Sequence, residues 1–116
     1  MGVMRVVVDI QTESLAQTKA FYTDVLGLDV VMDLGWIVTL ASPGHPEVQV
    51  SIITHDATAP LVPVASIEVD DVDATYHAAS AAGADIVREL TDEPWGVRRF
   101  FVRDPGGHVI NILAHC

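Results

Sequence analysis

Cysteine is almost missing from this 116-residue chain: Cys116 is the single one. An internal disulfide is therefore excluded, and with it the stapled scaffold of a small secreted protein. Positive charge is scarce as well. Six lysines and arginines stand against 16 aspartates and glutamates, a net charge of −10. Nucleic acid, whose phosphates demand a basic surface, is not the partner to expect. Acidity on this scale either attracts a cationic ligand from a distance or only maintains solubility, and charge alone does not locate a site. No apolar run reaches the ~18 residues of a membrane span. Met1-Gly2-Val3-Met4-Arg5 leads into a strand-like run without the layout of a signal peptide, so the expected compartment is the cytoplasm. A phosphate loop, a nucleophile elbow, a dinucleotide fingerprint and zinc-finger spacing are absent too.

What the chain does have is apolar content: 50% hydrophobic against 19% charged residues, enough for one folded domain with a real core. Val6, Val8 and Ile10 alternate with Arg5, Val7, Asp9 and Gln11, the signature of a strand with one apolar and one partly polar face. Ser14-Leu15-Ala16-Gln17 matches a capping box. Leu15, Thr18, Tyr22, Val25 and Leu26 then form the expected buried stripe of a helix that stops at Gly27. Strands are expected over 28–33, 36–41 and 48–54, with Ser42-Pro43-Gly44-His45-Pro46 as a turn cluster. Residues 56–63, with two prolines and no periodicity, read as a linker.

Beyond the linker the pattern restarts. A strand over 64–69 precedes a helix capped by Asp70 or Asp71, with Val72, Tyr76 and Ala79 as its stripe and Gly83 as its stop. Strands follow over 86–90, 97–103 and 109–114. Gly27-Leu28-Asp29-Val30-Val31 matches Gly83-Ala84-Asp85-Ile86-Val87, and Ile10-Gln11 matches Ile67-Glu68. The chain is thus two tandem β-α-β-β-β modules, about 3–55 and 64–116, in a single domain of α+β class. The last two strands flank Asp104-Pro105-Gly106-Gly107, a tight turn, in a hairpin whose first arm carries Arg98, Arg99 and Arg103, half of all the cationic residues.

Two stretches carry a family likeness. Pro94-Trp95-Gly96, the arginine–phenylalanine run and Asp104-Pro105-Gly106-Gly107-His108 form one, and Phe21-Tyr22-Thr23-Asp24-Val25-Leu26-Gly27-Leu28 the other. Together they resemble the vicinal oxygen chelate superfamily of glyoxalases, bleomycin resistance proteins and dioxygenases, most of all its bleomycin-resistance branch. The resemblance implies that the modules form a curved mixed β-sheet with a cavity on its concave side, and that the protein is a homodimer. Metal-using members place His, Gln or Glu ligands on the first and fourth strands of each module. Carried over to this chain, those positions are Val7, Gln49 or Ser51, Val64 and Asn111. Valine offers no donor and asparagine only a weak carbonyl, so no metal and no other cofactor is expected unless this alignment is wrong. His45, His55, His77, His108 and His115 fall where no partner ligand is expected. They read as ordinary surface residues, with His108 in the turn where the family commonly has asparagine.

Strand parity puts Val7, Asp9, Gln11, Gln49, Ser51 and Ile53 on the inward side of the first module. It puts Val64, Ser66, Glu68, Val109, Asn111 and Leu113 on the inward side of the second. With Arg99, Phe101, Trp36 and Trp95 these form the candidate ligand wall, apolar with a few polar anchors. The tryptophans either add flat surface for an aromatic ring or belong to a core or interface. Asp9 and Glu68 are candidate acid–base residues or greet a cationic group; alternatively each pairs with an arginine, Arg99 or Arg103. The leading expectation is metal-independent binding or sequestration of a small aromatic or cationic molecule, as by an antibiotic-resistance protein. The alternatives are a lyase, isomerase or dioxygenase of the superfamily, metal-dependent or using Asp9 and Glu68, and a module that works only in a larger assembly.

Overall fold

The computed structural model describes residues 2–116. The order β-α-β-β-β occurs twice: β1 (Val3–Gln11), α1 (Leu15–Leu26), β2 (Asp29–Asp33), β3 (Ile37–Ser42), β4 (His45–Ile53), then β5 (Ala65–Val69), α2 (Val72–Ala81), β6 (Asp85–Glu93), β7 (Val97–Arg103) and β8 (Val109–His115). The expected strand near residue 48 starts earlier, at His45, because only Pro43 and Gly44 are needed to turn the β3–β4 hairpin. β6 runs on to Glu93, three residues past the expected end, by continuing its pairing with β7 as far as Glu93 opposite Val97. Residues 54–64 form neither helix nor strand. Contacts gather the chain into two units, Val7–Val62 and the segment ending at Val6 together with Pro63–Cys116.

In the first unit the strands lie in the order β2-β3-β4-β1. β3 pairs antiparallel with β2 and with β4, whereas β1 runs parallel to β4. A parallel pair needs a crossover, and α1 begins that crossover. The core on the helix side is Val38, Leu40 and Ile52, with Ile10, Leu15, Tyr22, Leu28 and Val50 against it. The stripe expected on α1 is only half used: Leu15 and Tyr22 reach the core, but Val25 is 64% exposed and no residue of the helix is fully buried. Val8, expected beneath the helix, is 53% exposed. The reason is width. A helix about 10 Å across covers roughly two strands spaced ~4.8 Å apart, which leaves β1 at the margin. The capping box does not form either. Ser14 Oγ donates to Gln17 Oε1 at 2.9 Å instead of accepting a backbone N–H, and its own N–H goes to Thr12 Oγ1 at 3.0 Å.

The second unit repeats the plan as β5-β8-β7-β6, with β5 parallel to β8 and the other pairs antiparallel. Its core is Val69, Val72, Phe100 and Ile112, closed by Tyr76 and Ala79 of α2. Tyr76 meets Phe100 edge to face, ring centroids 5.0 Å apart. Of the two aspartates that precede the helix, Asp71 is the cap, accepting from the Ala74 N–H at 3.0 Å. Asp70 instead accepts from the Gly2 N–H at 2.8 Å, a bond that lowers its carboxyl pKa. The C-terminus of α2 is a Schellman motif, Gly83 N–H to Ser80 O and Ala84 N–H to Ala79 O.

The matching glycines now have a structural reason. Gly27 and Gly83 both end their helices in the left-handed region, at φ 66° and 74°. Only glycine adopts that conformation without penalty. A Cβ added at Gly83 meets nothing within 4 Å, so Gly83→Ala isolates the backbone term. It is expected to cost about 1–2 kcal/mol, read as a lower urea midpoint with an unchanged slope.

The β7–β8 turn is held by Asp104, whose carboxylate accepts the His108 N–H at 2.9 Å and faces the imidazole Nδ1 at 3.1 Å. The backbone bond, followed by the imidazole, holds the Asp104 carboxyl below its usual 3.8. A folded pKa below the unfolded one gives stability that is complete above 3.8 and lost as pH falls through the lower folded value. Hydrogen-exchange protection in the turn, measured against the intrinsic rate at each pH, is therefore expected to fall in that acid window, and Asp104→Asn is expected to abolish the pH step.

Candidate functional site

Register fixes which side chains share the face opposite the helix. In the first unit, Asp9 pairs with Ser51 and Ser51 with Thr39, so these three form one row across β1, β4 and β3. The row is buried, Asp9 being 7% exposed, and the Ser51 and Thr39 hydroxyls share a 2.7 Å hydrogen bond. Val7 is buried on the same face, while Gln11 is exposed. Gln49 turns back on its own hairpin, Nε2 donating to Pro46 O at 2.8 Å. Trp36 is half-buried, 6.5 Å from the His55 ring, at the entry to β3.

The second unit carries the richer chemistry. β8 is hydrogen-bonded on both sides, to β5 and β7, which lines up Ser66–Asn111–Phe101 and, two residues on, Glu68–Leu113–Arg99. Asn111 Nδ2 donates to Ser66 Oγ at 3.0 Å. Arg99, only 3% exposed, donates from Nε to Glu93 Oε2 at 2.6 Å, and Arg88 reaches Glu93 Oε1 at 3.1 Å. The Arg99 guanidinium carbon sits 4.9 Å from the Trp95 ring centroid and 4.7 Å from that of Phe101. Stacking satisfies the weakly hydrated faces of the guanidinium while its edge holds the carboxylate. One face each of Trp95 and Phe101 is thereby occupied by protein.

Glu68 does not pair with Arg99 or Arg103, the partners expected of it. One oxygen meets Arg5 Nε at 3.1 Å and the other His115 Nδ1 at 2.6 Å. Arg103 pairs with Asp85 at 3.3 Å. The physical cause is register. Arg99 is opposite Leu113 on β8 and Thr91 on β6, so its reach is to the β6 end, where Glu93 lies. His115 is exposed, as expected, yet counting by two from Asn111 along β8 puts it on this same face, in contact with Glu68. Val64, by contrast, is 46% exposed. Glu93, Arg88, Arg5 and His115 were not among the candidate residues. Arg5 and His115 lie on the inward parity of β1 and β8, whereas Glu93 lies past the expected end of β6 and Arg88 is brought opposite Phe101 by bulges that shift β6 against β7.

The chain from residue 5 to 112 matches the family model of the Glyoxalase/Bleomycin resistance protein/Dioxygenase superfamily. The chain belongs to that superfamily. No curated protein matches it. Among solved structures it is similar to a superfamily member from Vibrio splendidus 12B01, at 23% identity and TM-score 0.72, covering 97% of this chain and 99% of that one. A Legionella pneumophila protein named an NAD-dependent benzaldehyde dehydrogenase gives 16% identity and TM-score 0.76, covering 96% and 99%. The Mn(II)-bound glyoxalase from Novosphingobium aromaticivorans gives 22% identity and TM-score 0.65, covering 97% of this chain and 38% of that one. At these identities the likeness is one of fold.

Membership raises the question of a metal, which the donor chemistry answers at the positions assigned by resemblance. Val7 and Val64 have no donor atom. Ser51 is bonded to Thr39, and Gln49 and Asn111, whose amide nitrogens donate to Pro46 O and Ser66 Oγ, could offer only neutral carbonyl oxygens. Among the described residues, no group of three or more His, Cys, Asp or Glu side chains is placed to hold a metal ion. These residues do not fit a divalent transition metal, which needs imidazole or carboxylate donors.

The buried Glu93 is the electrostatic hinge of the second face. Removing a carboxylate from between two arginines strands cationic charge in the interior, so Glu93→Ala is expected to cost about 3–5 kcal/mol. Chemical denaturation measures it. A loss under about 1 kcal/mol, the range of an exposed pair, would mean that the arginines are held by other groups.

Proposed function

We propose that this member of the superfamily binds a small organic, aromatic molecule without a metal, and that sequestration of an antibiotic or other toxic natural product is the concrete form of that activity. The observation that carries the reading is the donor set: two valines, a hydroxyl and amides at the positions where a metal enzyme needs imidazoles and carboxylates. Binding by sequestration requires shape and a few polar anchors rather than reactive groups. The inner residues offer that, with Phe101, Leu113 and Val97 for apolar contact and Ser66 and Asn111 for hydrogen bonding. A cationic ligand is supported less than an aromatic one. Both Glu68 oxygens are engaged, by Arg5 and His115, so on the second unit's face no free carboxylate at that position waits for a cation. The cytoplasm and a homodimer belong to the same reading.

One observation favours a second reading, an acid–base enzyme of the superfamily. The 2.6 Å contact of His115 Nδ1 with Glu68 is the arrangement in which a carboxylate orients an imidazole for proton transfer. Turnover of a bound compound, lost in both Glu68→Gln and His115→Phe, would select it.

Metal content of protein purified without chelators, paired with thermal shifts in added Ni, Zn, Mn and Fe, tests the leading reading. The expected result is metal well below stoichiometric and an unchanged melting temperature. A stoichiometric metal, or a clear metal-dependent rise in melting temperature, would sink it in favour of a lyase or dioxygenase.

A further inference from the structure

Asn111 sits at the centre of the second unit's inner face, on the strand that is paired on both sides. It is 8% exposed, and its amide is used at one end only. Nδ2 donates to Ser66 Oγ, whereas Oδ1 is buried with no hydrogen-bond partner among the described residues. A buried acceptor left unsatisfied costs on the order of 1–3 kcal/mol, so its retention in a folded protein calls for an explanation. The bond to Ser66 ties down the nitrogen end and holds the carbonyl end in place. Phe101 lies beside it in the same row, opposite Asn111 in the pairing of β7 with β8, and supplies apolar surface.

We propose that Asn111 Oδ1 is the specificity anchor for a hydrogen-bond-donating group, a phenol hydroxyl or an amide N–H, on an aromatic ligand. The inference rests on the small-molecule reading above and names the chemical class that the site selects. A neutral donor suits it better than a charged one. A carbonyl oxygen accepts such a bond without requiring a counter-charge, and the charged groups closest in register, Glu68 and Arg99, are already joined to Arg5, His115 and Glu93. An acceptor-only ligand would bring a second lone pair against Oδ1 and would leave the site's unpaired oxygen unpaired. Discrimination against such an analogue is where a polar site exceeds what apolar contact alone achieves.

The test uses a matched pair of probes on the intact protein, 4-phenylphenol and 4-methoxybiphenyl, which share an aromatic body but differ in the donor. Calorimetric titration is expected to show the phenol binding about tenfold tighter, the worth of one well-made hydrogen bond. The preference is expected to shrink to within about twofold in Asn111→Leu and to survive in Asn111→Asp, which keeps an acceptor oxygen. Melting curves establish that both variants are folded. In labelled wild-type protein, the side-chain amide resonance of Asn111 is expected to shift with the phenol and much less with the ether. Equal binding of the two probes, binding of neither, or a phenol preference that persists in Asn111→Leu would each overturn the proposal. Metal content and turnover are read separately. Failure here with metal-free, non-catalytic protein removes the anchor and leaves the sequestration reading, whereas a bound metal removes the reading itself.

Discussion

Burying Glu93 between Arg88 and Arg99 organises the inner face of the second unit, because a carboxylate and two guanidiniums leave water together only when their geometry is closely met. The 2.6 Å contact from Arg99 Nε, the 3.1 Å contact from Arg88 and the stacking of Arg99 with Trp95 and Phe101 supply that geometry. Each constraint fixes another. With its edge committed to Glu93 and its faces to aromatic rings, Arg99 is not available to Glu68. Glu68 turns to Arg5 and His115 instead. Asn111 and Ser66, one row away, are left as the neutral polar pair of the face.

The two units share a plan but not a chemistry. Both use β-α-β-β-β order, a parallel first and fourth strand, and a helix stopped by a left-handed glycine. On the inner side, the first unit presents Asp9 with the Ser51–Thr39 hydroxyl pair, and the second presents arginine, glutamate, asparagine and histidine. Duplication preserves what the backbone needs: turn residues, helix stops and alternation. It leaves the inward positions able to diverge as sets, since the backbone ladder is common to both units and what a side chain on that face must suit is its own cross-strand neighbours. Function in this superfamily therefore has to be read from the inward residues and not from the fold.

Metal chemistry and the binding of an organic ligand make different demands on inward residues such as these. A divalent metal makes strict demands on donor type, and a valine at a ligand position cannot be compensated by its neighbours. Recognition of an organic ligand tolerates far more. It draws on apolar surface and one or two oriented polar atoms, which amides and hydroxyls supply without any titrating group.

The sequence by itself determined the element order, the internal repeat, the glycine helix stops and the parity that puts Asn111, Arg99, Phe101 and Glu68 on one face. These are properties of local geometry: a period of two along a strand, a φ open to glycine alone, a turn that Asp104-Pro105-Gly106-Gly107 can make. Asp71 as the cap was legible to within one residue. Tertiary structure alone decided the partners. Glu68 meets His115 across 47 positions of sequence and Arg5 from the opposite end of the chain. Arg99 takes Glu93 because β6 continues to Glu93 opposite Val97, which makes the two diagonal neighbours, and bulges further along β6 bring Arg88 to the same carboxylate. It also decided how much of each apolar stripe is covered, leaving Val8 and Val25 exposed where one helix is too narrow for four strands. Periodicity states which way a side chain points. What it meets there is set by the pairing of distant strands, which no local pattern encodes.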